Sequence, residues 1–336
     1  MKLLFHLFAV LLFVTSTQAD PLRKEQVGAD VKWLVHLDVD SFFGSKVGQF
    51  VMQEFVEKKL AKQKDDLNKK FGLNLDWHQI HGVTAYGSEY KMRGEPSGVL
   101  IVHSDLAVAD MIEAIMAVLD ARGEGNPLKK IETKPFPIYS VKDQLFGTPM
   151  KGGLLVLSRS KDDLQAACKT ILGSSANLRS VKTFSALPET PKGFIVMGVA
   201  EGFTDAPLPP QAKILKNADG AQIVAGEQGD KLFLQLSLSA KDPESATQIQ
   251  QVLQGLLALG ALAQGENKDL QELTQATKIS GSEKVVTARI ELPVATVLDR
   301  ASAQEKKTKE HKQRASKRKK AKEAPDSGDD APEIAK

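Results

Sequence analysis

Between residues 31 and 301 the chain runs through one order of elements twice: strand, helix, two strands, helix, strand. A repeat of this kind constrains the fold more than any single motif, because each copy must bury one face of its strands and one stripe of its helices. In the first copy, residues 31–175, the stretch Lys32 to Asp40 alternates. Trp33, Val35, Leu37 and Val39 point one way, and Leu34, His36, Asp38 and Asp40 the other. The pattern predicts a strand with the first set buried and the second facing water. Asp40 or Ser41 then caps a helix whose stripe is Phe43, Val47, Phe50, Val51 and Phe55, fading into the Lys/Asp/Asn-rich residues 57–70 and breaking at Phe71-Gly72.

Strands are predicted near 81–87 and 97–103, the second continuously apolar through Val99-Leu100-Ile101-Val102 and so placed centrally in a sheet. Ser104 or Asp105 caps a helix with Val108, Met111, Ile112, Ile115, Met116 and Leu119 on its core face. Short strands near 129–134, 137–142 and 153–158 follow, then a helix opened by a Ser160/Asp163 capping box. Residues 176–192 form a polar linker. The second copy, residues 193–301, has a strand at Phe194 to Val199, a short helix after the prolines of residues 205–218, a hairpin of 221–226 with 231–239, and a helix opened by Asp242-Pro243. Its apolar run Val252 to Ala263 reads as a buried helix, too short and too interrupted by Gln254 to span a bilayer. A strand at 285–291 and a helix from Pro293 complete the copy. The expected fold is α+β: two tandem split β-α-β-like halves, antiparallel or mixed sheets with helices packed on one face, and a disordered charged C-terminal tail.

Three segments carry a resemblance: Val83-Thr84-Ala85-Tyr86-Gly87, Gly153-Leu154-Leu155-Val156-Leu157-Ser158 and Gly193-Phe194-Ile195-Val196-Met197-Gly198-Val199-Ala200. With the helices that follow them, over roughly residues 30–300, they resemble uncharacterised families of exported bacterial α/β proteins with tandem repeats. The resemblance implies a fold and an exported location. It implies no activity and no site residues.

The N-terminus points to export on its own. Lys2 precedes an apolar run from Leu3 to Val14, and Thr17 and Ala19 stand at the −3 and −1 places of a signal-peptidase site, predicting a signal peptide over 1–19 and a polar leader over 20–30. The expected location is periplasmic or extracellular, with no transmembrane segment after cleavage. The mature chain of about 317 residues suits one large or two ordinary domains. The single cysteine, Cys168, lies on an apolar helical face with Leu164, Ile171 and Leu172 and reads as a small buried hydrophobe, so stability must come from packing.

Charge is segregated. The net charge is +3, yet residues 301–336 hold eleven Lys/Arg against seven Asp/Glu, which leaves residues 20–300 at −2. The folded body therefore carries no general attraction for nucleic acid. Within the tail, 302–336, ten basic residues are concentrated: Lys306, Lys307, Lys309, Lys312, Arg314, Lys317, Arg318, Lys319, Lys320 and Lys322, followed by an acidic Pro/Ser/Gly-containing end. Such a stretch is either disordered or a fraying helix continuing from Val294. It suits weak, salt-sensitive binding to an anionic envelope polymer or surface. Aromatic residues are absent from it, so base stacking is not supported.

Candidate chemistry is sparse. His36-Leu37-Asp38-Val39-Asp40-Ser41-Phe42-Phe43 resembles the first metal-binding motif of translesion DNA polymerases, but the further acidic element and the triphosphate clamp of that family are absent. His78 and His81 stand three apart, with His103 and Asp105 as geometric supplements, and His36, Asp38, His78 and His81 form the candidate ligand set of a metal-dependent hydrolase. Ser158-Arg159-Ser160-Lys161 matches S-x-x-K, without the partner motifs in order. The favoured expectation is a non-catalytic binding or structural protein of the bacterial envelope that uses no cofactor, with the hydrolase as the alternative.

Overall fold

The structure is a computed structural model that describes residues 22–90, 98–123, 126–203, 218–262 and 268–323. The signal-peptide segment, most of residues 205–218 and the acidic end of the tail lie outside the described residues. Among the described residues there are twelve strands: β1 (Trp33–Asp38), β2 (Ile80–Gly87), β3 (Val99–Ser104), β4 (Leu128–Ile131), β5 (Ile138–Val141), β6 (Leu145–Met150), β7 (Leu154–Ser158), β8 (Phe194–Glu201), β9 (Ala218–Gln228), β10 (Lys231–Ala240), β11 (Thr277–Ser282) and β12 (Val285–Pro293). They form one sheet in the order β11-β12-β10-β9-β8-β1-β2-β3-β7-β6-β5-β4.

Every neighbouring pair is antiparallel. The α+β class and its antiparallel sheet agree with the sequence. The split β-α-β arrangement occurs in the second half: the helices after β10 lead to β11, which runs parallel to β10 with β12 between them, whereas the helices after β1 return the chain to its antiparallel neighbour β2. Each half sets three consecutive strands side by side and then its last strand, β1-β2-β3-β7 in one and β8-β9-β10-β12 in the other. The two meet where β1 lies against β8, Trp33 opposite Ala200 and Val35 opposite Gly198. Outward from that joint the strand order runs alike in both directions.

The alternation in β1 is present with its faces exchanged. Leu34, His36 and Asp38 are fully buried, while Val35 is 44% exposed. Cross-strand neighbours set this choice. Leu34 stands beside Tyr86 and Val199, and His36 beside Thr84 and Met197, on the face where the main core forms. That core takes in Val27 and Val31 from the leader, Leu178, and Leu164 and Ala167 of the helix Lys161–Ile171. Leader and linker are part of the packing rather than spacers. Leu178 N–H donates to the Val27 carbonyl at 2.8 Å, and Gly28 bridges to Asn177. The sheet's other face has a smaller core in the second half, where Ala246 and Ile249 meet Leu238 and Val286. Helices therefore pack on both faces, not one.

Helices α1 (Val39–Gly44) and α2 (Lys46–Val51) follow β1, and a π-turn over Met52–Val56 leads into α3 (Glu57–Phe71). The N-cap of α1 is Asp38, two residues before Asp40 and three before Ser41, the expected caps, because its carboxylate accepts both the Ser41 N–H and the Ser41 hydroxyl at 2.8 Å. Helix α3 stops at Gly72, whose φ of 68° is the left-handed conformation that ends helices without steric cost. Helix α4 (Val108–Ala121) begins later than expected, and no side chain caps it. Helix α5 is Lys161–Ile171, capped by Ser160 as the sequence predicts.

In the second half α6 (Pro243–Leu262) and α7 (Lys268–Ala276) precede β11 and β12, and α8 (Val294–Glu323) follows. Of the two forms expected for the basic tail, its described part takes the helical one, continuous with α8 to Glu323. At the β6–β7 turn, Gly153 has φ 71° and a β-carbon there would lie 1.5 Å from the Ser104 carbonyl oxygen, so the close approach of that turn to β3 requires glycine.

The exchanged faces of β1 give a direct test. Leu34→Ala is expected to cost about 3 kcal/mol, and Val35→Ala less than about 1 kcal/mol, by urea unfolding.

Candidate functional site

The four candidate metal ligands are not gathered around one point. His36 is sealed in the sheet, its Nδ1 within 2.9 Å of Thr84 Oγ1. Asp38 spends its carboxylate on the α1 cap. His78 is largely exposed, stacked on Phe43 at 4.7 Å between ring centroids, with Nδ1 3.0 Å from Asp76. His81 is held separately, Nδ1 3.1 Å from Asp40 and Nε2 3.0 Å from Asp105. His103 contacts Gln26 Oε1 at 2.7 Å. Among the described residues no group of three or more His, Cys, Asp or Glu is placed to hold a metal ion.

The His81 arrangement is a clamp. It ties the first turn of α1, through Asp40, to the turn after β3, through Asp105. Burial disfavours the imidazolium, but hydrogen bonds and charge attraction from the two carboxylates outweigh it and leave the pKa above the ordinary histidine value. A second resource, the Cys168 thiol, is half-buried and pushed by that burial up to about 11, which leaves little thiolate for chemistry. In the S-x-x-K segment, Ser158 donates its hydroxyl to the Gly98 carbonyl at 2.9 Å, and Ser160 is occupied as the α5 cap. Neither serine is arranged as a nucleophile.

The unexpected feature is α6. The sequence predicts its apolar run to be buried, yet Leu256 is 59% exposed, Leu259 63% and Leu262 83%, with Val252 exposed beside them. The spacing of 252, 256, 259 places these side chains on one stripe. Only the stripe through Ala246, Ile249 and Leu253 reaches the sheet. From Ala246 to Leu262 the helix contains no charged residue, so its outward side is an apolar ridge without a rim of its own. A helix apolar all round has more hydrophobic surface than a single sheet face can cover, and that excess was the signal in the sequence.

The surroundings of the ridge continue the theme. The sheet face beneath α6 also leaves Ile223 and Leu234 exposed, next to Val35. Helix α6 packs on α7, and Glu272 of α7 is paired with Arg300 of α8. The helix that carries Lys306, Lys307 and the remaining basic residues is thereby tied to the helix that carries the leucines. No described helix is long and apolar enough to cross a membrane.

No known protein family matches the chain, and no curated protein matches it either. Among solved structures it is similar to crystal form III of TP0453, at 9% identity and a TM-score of 0.46 over 86% of this chain and 100% of that one. Crystal form I of TP0453 gives 9% identity and 0.44 over 84% and 98%.

The clamp makes a pH-dependent contribution. Because the folded-state pKa of His81 is raised, its stabilisation is complete below the ordinary histidine pKa and disappears as pH rises through the raised value. Thermal unfolding of the wild type and His81→Gln should therefore differ most near pH 5.5 and converge above about pH 8.

Proposed function

We propose that this protein is an exported, non-catalytic binding protein that attaches to an anionic membrane surface of the bacterial envelope through α6 and α8. The observation that carries the reading is the exposure of Leu256, Leu259 and Leu262 on a packed helix. An apolar ridge of this kind leaves a thermodynamic demand that the fold does not meet, since a fully buried leucine contributes about 2 kcal/mol relative to an exposed one. The lipid interface meets that demand for a helix lying in its plane.

The charge pattern supports the same surface. The body of the protein is slightly acidic, and the net positive charge lies on residues 306–322, most of it along α8. Each lysine or arginine close to an anionic leaflet contributes on the order of 1 kcal/mol, screened by salt. Neither part suffices alone. The ridge gives apolar contact with little lipid selectivity, and the basic stretch gives selectivity for anionic headgroups. The Arg300–Glu272 pair links α8 to α7, which packs on α6. Nothing in the arrangement of the histidines and carboxylates favours the hydrolase reading.

Vesicle co-sedimentation of the mature chain checks this. Binding to phosphatidylglycerol-containing vesicles is expected to exceed binding to phosphatidylcholine vesicles and to fall by tenfold or more between 50 and 500 mM salt. A chain with Leu256, Leu259 and Leu262 changed to Gln should lose binding at both salt levels, and removal of residues 303–336 should abolish the preference for anionic lipid. Equal binding by all three chains would refute the proposal.

A further inference from the structure

The His81 clamp does more than add stability. His81 of β2 is half-buried, with Nδ1 3.1 and 3.2 Å from the two Asp40 oxygens and Nε2 3.0 Å from Asp105 Oδ2. These are hydrogen-bond distances, and an ionised carboxylate offers lone pairs only. Each ring nitrogen must therefore carry a proton, which the ring does only as the imidazolium. The neutral ring has a single N–H, so one of the two carboxylates would then face a nitrogen lone pair. The closed arrangement belongs to the charged ring.

The two carboxylates are not equivalent. Asp40 lies in the first turn of α1 with its side chain 24% exposed, whereas the side chain of Asp105 is 73% exposed. Water replaces a lost hydrogen bond more readily at Asp105, so the neutral ring keeps its Nδ1 proton for Asp40 and lets Asp105 go. Asp40 and Asp105 are the charged groups that α1 and the turn after β3 direct at the ring. His78, on the neighbouring 77–79 turn, faces Asp76 and the Phe43 ring instead.

Asp105 stands where the chain leaves the sheet. Up to this residue the backbone is tied, with Ser104 N–H donating to the Gly153 carbonyl at 2.9 Å and Asp105 N–H to the Gln79 carbonyl at 2.8 Å. Beyond it comes α4, whose N-cap, Ala107, makes no side-chain hydrogen bond and none of whose residues is buried. A helix start with neither a cap nor a buried anchor frays readily. From these contacts we infer that His81 is a proton-operated latch. Charged, it holds the start of α4 to β2 and α1; neutral, it releases Asp105 and frees the first turn of α4 with its apolar side chains Val108, Met111 and Ile112. The inference does not rest on the membrane reading, and its test uses no lipid.

Backbone order parameters of the full mature chain, measured by nuclear magnetic resonance relaxation, read the latch directly. For the amides of Val108 to Ile112 they should be about 0.85 at pH 5.5 and fall below about 0.6 at pH 8.5, while those of β2 and β3 stay rigid at both. Asp105→Asn puts at the latch an amide that accepts from the charged ring and donates to the neutral one, so the first turn of α4 should be rigid at both pH values. His81→Gln cannot serve both carboxylates at any pH, and its first turn should be mobile at both. A contribution to stability alone would leave the order parameters of the folded chain unmoved. The wild-type profile stands even if a variant fails to fold. A wild-type α4 equally rigid at both pH values, an Asp105→Asn chain that follows the wild-type pH dependence, or a His81→Gln chain as rigid as the wild type at pH 5.5 would overturn the inference.

Discussion

The pairing of β1 with β8 is the constraint on which the rest of the structure depends. It joins the strands of the two halves and makes a single twelve-stranded sheet out of two smaller ones among the described residues. Leu34 sits at that joint with no exposed surface, flanked by Tyr86 from the first half and Val199 from the second. The main core is built around it from both halves, together with Val27, Val31 and Leu178 from segments that have no regular strand or long helix of their own. Two halves sharing one core are held by strand pairing and packing, since a chain with a single cysteine has no intrachain disulfide.

That joint also decides what the two faces of the sheet are for. On the face carrying Leu34 the leader, α5 and the 176–192 segment cover the strands, and a polar row of Gln222, Gln235 and Ser237 is drawn under them. On the other face the central strands present apolar side chains that the helices cover only in part. Val35, Ile223 and Leu234 remain open there, and α6 turns its leucines away from the sheet. The second face leaves apolar surface open, which the proposed membrane attachment covers, with the basic residues of α8 selecting anionic lipid.

Much of the architecture was legible in the sequence, for identifiable reasons. Strands β2, β3, β7, β8 and the β9–β10 hairpin stand out because their apolar runs are bounded by Gly, Pro or charged residues, and Ser160 caps α5 as its spacing indicates. The faces of β1 were not legible. Trp33, Val35 and Leu37 are more hydrophobic than Leu34, His36 and Asp38, yet the second set is buried, because Thr84 and Ser41 satisfy the polar members and the neighbouring strands supply the core. Local pattern loses to tertiary pairing in such a strand. Helix α7 and β11 were missed since residues 268–282 are polar and alternate weakly. The clamp at His81 joins residues 41 and 24 positions away, and the Gln222 amide donates to the Pro188 carbonyl 34 residues earlier, so neither has a local signature.

The central claim is that the outward leucines of α6 enter the hydrocarbon edge of an anionic bilayer. The most direct measurement is fluorescence from a bimane label at position 259, in a full mature chain carrying Leu259→Cys with Cys168→Ala so that one thiol is available. On addition of phosphatidylglycerol vesicles the account predicts a blue-shifted emission that is quenched by nitroxide placed on the lipid acyl chains. An unshifted, unquenched label on protein that has demonstrably bound the vesicles would contradict it.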